Sequence, residues 1–126
     1  MNEMGTKTFR DLEVWNDGLS LLIEIYQITA NFPKTEIYGL IDQIRRSANS
    51  IIANIAESQG RFSYADRIRV LYVARGEAFE TRSHLSVAYK LKYIDSVTFE
   101  KLDNGYEILA KRISSFIVYL EKRKHV

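Results

Sequence analysis

The sequence predicts an all-α protein, an antiparallel up-down-up-down four-helix bundle, and three observations carry that expectation. Apolar residues recur at alternating steps of three and four along four long stretches, the spacing that lines one face of a helix. No stretch alternates apolar and polar residues with the period of two that a half-buried strand needs. The breaks between stretches are short, which makes consecutive helices run in opposite directions. The chain has 126 residues, 46% hydrophobic and 27% charged, with one proline and six scattered glycines. That is the profile of one globular domain, spanning residues 1–126, large enough to bury a core without disulfides or a structural metal.

The first helix is expected over about residues 10–32, with Leu12, Trp15, Leu19, Leu22 and Tyr26 as its stripe. Ile25 and Ile28 widen that face, and Leu21 and Ile23 lie further round it, so this helix needs more than one neighbour. Pro33 ends it, because proline disfavours a helical Phe32 and supplies no amide donor. The second helix runs over about 38–59, with Ile41, Ile44, Ala48, Ile51 and Ile55 at core spacing, and Gly60 is its stop. Ser63 followed by Asp66 resembles a capping box at the start of a third helix over about 64–92. Its seam is Leu71, Ala74, Ala78, Thr81, Leu85 and Ala88, mostly small residues that allow close approach. Asp95 or Ser96 caps the fourth helix, about 96–122, where Phe99, Leu102, Tyr106, Leu109, Ile113, Phe116 and Leu120 keep the alternation unbroken.

Most chemistry is argued against by what is missing. With no cysteine, zinc sites of the finger or ribbon kind and thiol catalysis are excluded, and a reducing cytoplasm is compatible. His84 and His125 are the two histidines. A di-iron bundle needs inward glutamates and two Glu-x-x-His pairs, whereas Glu80 and His84 are four apart and stand alone. No glycine run cradles a phosphate. Glu77 and Glu80 read as ion-pair partners on a helix rich in arginine. These residues predict neither an enzyme nor a cofactor. The polar start carries no secretory pattern and no run of about eighteen uncharged apolar residues occurs, so a cytoplasmic protein without a membrane span is expected. Eighteen Lys and Arg against sixteen Asp and Glu give +2, too little to diagnose a nucleic-acid binder except through local clustering.

Several ordered motifs resemble the bacterial 23S rRNA intervening-sequence protein family. They are Phe9-Arg10-Asp11-Leu12-Glu13-Val14-Trp15, then Phe32-Pro33 with Glu36-Ile37-Tyr38-Gly39-Leu40, then Gln43-Ile44-Arg45-Arg46-Ser47-Ala48. Asn54-Ile55-Ala56-Glu57, Gly60-Arg61, Ser63, Ala74-Arg75-Gly76 and Glu80-Thr81 follow in order, so nearly the whole chain is covered. Ser58-Gln59 stand where the family usually has glycine, and Arg67 where an aromatic residue is common. The resemblance implies a four-helix bundle, and it carries a genomic location rather than an activity. A similar bundle is the accessory protein of diversity-generating retroelements, a basic five-membered ring that works with a reverse transcriptase and nucleic acid. By that likeness a homo-oligomer, a pentamer, is expected, with RNA or DNA and a reverse transcriptase-like protein as the partners it suggests.

Two faces are candidates for function. On the second helix Arg46, Ser50, Ala53 and Glu57 lie opposite the core stripe. Arg46 and Glu57 are too far apart to pair, so each is expected to meet a charge from a neighbouring helix or subunit. On the third helix Arg61, Ile68, Tyr72, Arg75, Phe79 and Arg82 fall on one flank beside the core seam, where arginine alternates with aromatics. Arg61, Arg67, Arg69 and Arg75 face one acid, Asp66, in that interval and are the candidates for phosphate contact, with aromatic rings offered to bases. Lys122-Arg123-Lys124 and Arg45 with Arg46 add to a basic surface that a ring would multiply. Ile68, Tyr72 and Phe79, with Arg46 and Glu57, are the candidates for a subunit interface, and Trp15 for packing or subunit contact. The competing reading is a protein-interaction scaffold whose arginines pair with glutamates of neighbouring subunits and bind no nucleic acid.

Overall fold

The structure, a computed structural model, describes residues 8–124; His125 lies outside them. Four helices follow one another: α1 (Glu13–Thr29), α2 (Leu40–Gly60), α3 (Tyr64–Lys90) and α4 (Ser96–Arg123), with single 3₁₀ turns at Phe9–Asp11 and Lys34–Glu36. No strand occurs among the described residues. Pairs of contacts establish the direction of every neighbour. Thr29 meets Arg45 while Gly18 faces Ile52, so α1 and α2 run oppositely. Ser47 meets Thr81 while Ser58 meets Arg67, which does the same for α2 and α3. Arg75 reaches Ser114 and Arg82 reaches Asp103 across α3 and α4. Arg112 with Asp17 and Lys101 with Glu24 close α4 onto α1, again antiparallel. The result is an up-down-up-down four-helix bundle.

The core follows from the three-four spacing in three helices. Ile44, Ile51 and Ile55 of α2, Leu71 and Leu85 of α3, and Leu102, Tyr106, Leu109, Ile113, Phe116 and Leu120 of α4 are all buried. Each large side chain so placed contributes about 1.5–3 kcal/mol by leaving water. The alanines of the α3 seam, Ala74, Ala78 and Ala88, are fully covered and let α2 and α4 close in. Between α2 and α3, Ser47 and Thr81 share a buried 2.8 Å hydrogen bond.

On α1 the seam is turned from the expected stripe. Val14, Gly18, Leu22, Ile25 and Thr29 face inward, whereas Trp15 and Leu19 are half-buried and Tyr26 is exposed. The reason is Gly18. A Cβ there would lie 2.4 Å from the Ile52 side chain, so α1 rests on α2 through its glycine, a residue that adds nothing to an apolar pattern. Thr29 hides its hydroxyl by donating 2.7 Å to the Ile25 carbonyl. Trp15 packs edge-on against Phe9, 5.1 Å between ring centres.

The ends differ from expectation where backbone chemistry intervenes. Thr8 Oγ1 accepts from the Arg10 amide and Asp11 accepts from the Thr8 amide, so the described residues open with a capped 3₁₀ turn. Leu12 is then extended and starts α1 at Glu13. Beyond Thr29 the bonds tighten, Asn31 to the Ile28 carbonyl and Phe32 to that of Thr29, and α1 ends before Pro33 can stop it. At the far end of α3, Lys92 takes φ of 64° and Tyr93 donates to the Ala88 carbonyl, a left-handed closure usually made by glycine. Asp95 caps α4 through the Thr98 amide at 2.8 Å.

Candidate functional site

Three of the four arginines expected to meet phosphate stand at the α2–α3 corner, and each is engaged by its own chain. Arg61 bonds Glu57 one turn back on α2 and Asp66 on α3. Arg69 grips the same Asp66 through two nitrogens at 2.8 and 3.0 Å. Arg69 first, and Arg61 beside it, hold the Asp66 carboxyl below its usual range. Ser63 Oγ caps α3 by accepting from the Asp66 amide at 3.1 Å, but the Asp66 carboxylate serves the arginines instead of completing the box. Arg67 donates to the Ser58 carbonyl at 3.1 Å and to the Gln59 side chain. It thereby adds a second donor to a carbonyl in the last turn of α2, which the Arg61 amide meets at 3.4 Å, and lies 5.6 Å over the Tyr64 ring.

The expected interface residues separate into groups. Arg46 pairs with Asp42 on its own helix at 3.0 Å and Glu57 with Arg61, so neither reaches across to a neighbouring helix of the bundle as expected. Ile68 is 5% exposed and belongs to the core, which corrects its place as a subunit contact: the start of α3 turns that side chain inward, leaving it no surface to offer. Tyr72, Val73 and Phe79 are 47%, 44% and 54% exposed on the outer face of α3. Gly76 lies between them, and the space beside it is open.

Along the α3–α4 groove, a cleft of about 370 Å³ is lined by Arg75, Phe79, Arg82, Glu107, Lys111 and Ser114, among others. Arg82 is neutralised by Asp103 at 2.8 Å and Glu107 at 3.2 Å. Arg75 donates to the Ser114 hydroxyl at 3.2 Å and stacks 4.8 Å over Tyr72, and meets no carboxylate among the described residues. Glu77 and Glu80 are not the ion-pair partners expected. Partial burial first, then the neighbouring Glu80, push the Glu77 carboxyl up. Among the described residues no three or more His, Asp or Glu side chains are placed to hold a metal ion, and no helix is long and apolar enough to cross a membrane.

Arg45 lies outside the candidates for phosphate contact. Arg45 donates from Nε to Thr29 Oγ1 at 2.8 Å and stacks 4.5 Å over the Tyr26 ring. It lines a cleft of about 300 Å³ between α1 and α2 with Tyr26, Ile37, Asp42 and Asn49. The signal in the sequence is slight, since Arg45 and Arg46 are adjacent and only the helical rotation between them separates their surroundings.

The architecture defines the class first: a four-helix bundle whose charged groups pair across its surface. The model of the family described as 23S rRNA-intervening sequence protein matches residues 10–115, and the chain belongs to that family. A solved structure from Bacteroides thetaiotaomicron, described as a protein with unknown function from the S23 ribosomal protein family, is 31% identical with a TM-score of 0.74. The match covers 82% of this chain and 97% of that one. None of the curated proteins matches the chain.

Proposed function

We propose that the protein is a non-enzymatic, homo-oligomeric helical scaffold that works by presenting the outer faces of its helices. The observation that supports this best is the α3 face, where Tyr72, Val73 and Phe79 stay about half exposed around the open Gly76. Glycine inside a 27-residue helix costs about 1 kcal/mol relative to alanine, and nothing within the bundle needs the space it leaves. Exposed rings beside a bare stretch of helix backbone suit a second packed subunit. A closed ring is the assembly this reading expects, with five subunits by the family resemblance, in the cytoplasm.

The second reading, an accessory protein that also holds RNA or DNA, rests on Arg75. It is the one of the four candidate arginines without an acid or backbone partner among the described residues, and Phe79 beside it offers a ring. The tied arginines at the α2–α3 corner favour the scaffold. Light scattering on the purified protein, with and without RNA or DNA at low and moderate salt, tests both. Phe79→Glu is expected to reduce the wild-type mass toward that of one chain. Arg75→Glu is expected to leave the oligomer intact, and to remove any nucleic-acid mass gained at low salt. A wild-type monomer overturns the scaffold reading.

A further inference from the structure

We propose that the α1–α2 cleft around Arg45 is a socket for the Glu77–Glu80 edge of α3 from a second copy of this chain. The inference rests on the homo-oligomeric reading above and names the surfaces that meet. Arg45 is a held guanidinium with an unused fork. Thr29 holds Nε and the guanidinium carbon lies 4.5 Å over the Tyr26 ring, while both terminal nitrogens are without a hydrogen-bond or ion-pair partner among the described residues. A planar guanidinium so oriented takes a carboxylate through two parallel bonds with little ordering left to do. The cleft also contains Arg46 and Asp42, which neutralise each other. Its surplus is thus one positive charge, the complement of one carboxylate, which the exposed Glu80 supplies with Glu77 beside it.

The matching acids are on the same chain but on another face. Glu77 and Glu80 lie one turn apart on α3 and neither forms an ion pair among the described residues. Two carboxylates held side by side without a cation repel one another, and a guanidinium from outside relieves that. The flanks agree as well. Val73 and the open Gly76 adjoin the acids, and Tyr26 and Ile37, 47% and 56% exposed, adjoin Arg45. As proposed, the Arg45 surface of one copy meets the α3 edge of the next, a head-to-tail contact of the kind that closes into a ring when its rotation permits.

Charge reversal separates this contact from the broader reading. Self-association of wild type, Arg45→Glu, Glu80→Arg and the combined variant is measured by sedimentation equilibrium, with circular dichroism confirming helix content. Each single reversal is expected to weaken association at least about tenfold, and the combination to restore most of it. If wild type associates and Glu80→Arg leaves the affinity unchanged, or the combination is no better than the weaker single variant, the contact is overturned while the homo-oligomer stands. Should Arg45→Glu not fold, Glu80→Arg at its exposed site decides alone. A wild type that stays monomeric at every concentration overturns both.

Discussion

Arginines at the two sides of α2 behave in opposite ways. At the α2–α3 corner Arg61, Arg67 and Arg69 crowd together, and their guanidinium groups are consumed by Glu57, Asp66, Gln59 and the Ser58 carbonyl. In the α1–α2 cleft Arg46 is spent on Asp42, whereas Arg45 is held at Nε and over the Tyr26 ring and keeps its fork open among the described residues. The dense region looks the more functional in the sequence, yet its charges are spent on joining one helix to the next. What decides availability is the number of acceptors the fold brings within reach, and a turn between antiparallel helices brings many.

That contrast is open to measurement, and the largest effect is expected at Arg67. Arg67→Ala removes charged donors from the end of α2 and should lower the unfolding free energy by about 1–3 kcal/mol, read from urea denaturation. An unchanged midpoint would break the comparison, because the corner would then not be structural. Arg45→Ala is expected to cost less than about 1 kcal/mol in the same experiment, at dilution low enough to keep subunits apart. A loss as large as that of Arg67 would make the cleft arginine a structural group too.

The smallest expected effect is a pH dependence at Asp66. Its carboxyl is held below the ordinary value of 3.8, chiefly by the hydrogen bond from Arg69 and then by Arg61. A lowered folded-state value means that the ionised acid favours the fold. Its contribution is present above about pH 3.8 and is lost as pH falls through the lowered value. Asp66→Asn should therefore be less stable than wild type at neutral pH, with the gap closing on acidification. A gap that persists in acid would assign Asp66 a role other than its charge.

Legibility in the sequence followed contrast in side-chain chemistry. The seams of α2 and α4 stood out because isoleucine, leucine and aromatic residues alternate with charges, and the alanine seam of α3 kept the same spacing. α1 was turned because its contact with α2 is made by Gly18, whose lack of a side chain is what the packing requires. The end of α3 fell within two residues of the expected one, but its left-handed closure at Lys92 was not legible, since the residue is not glycine. Among site residues, the exposure of Tyr72 and Phe79 agreed with their place on the helix flank. Ile68 departed from it by turning inward near the helix start, where the core closes under the α2–α3 corner.

By itself the sequence determined the number of helices, their order, their opposite directions and most of the core, because hydrophobic spacing and short connections are local properties. It also brought together the motifs of a family. Which arginines are spent and which are open, that Glu77 and Glu80 meet no cation among the described residues, and that Arg45 lines a cleft with Tyr26 were decided by the tertiary structure alone. Those outcomes depend on atoms tens of residues apart approaching within hydrogen-bond distance, and no spacing along the chain encodes such an approach.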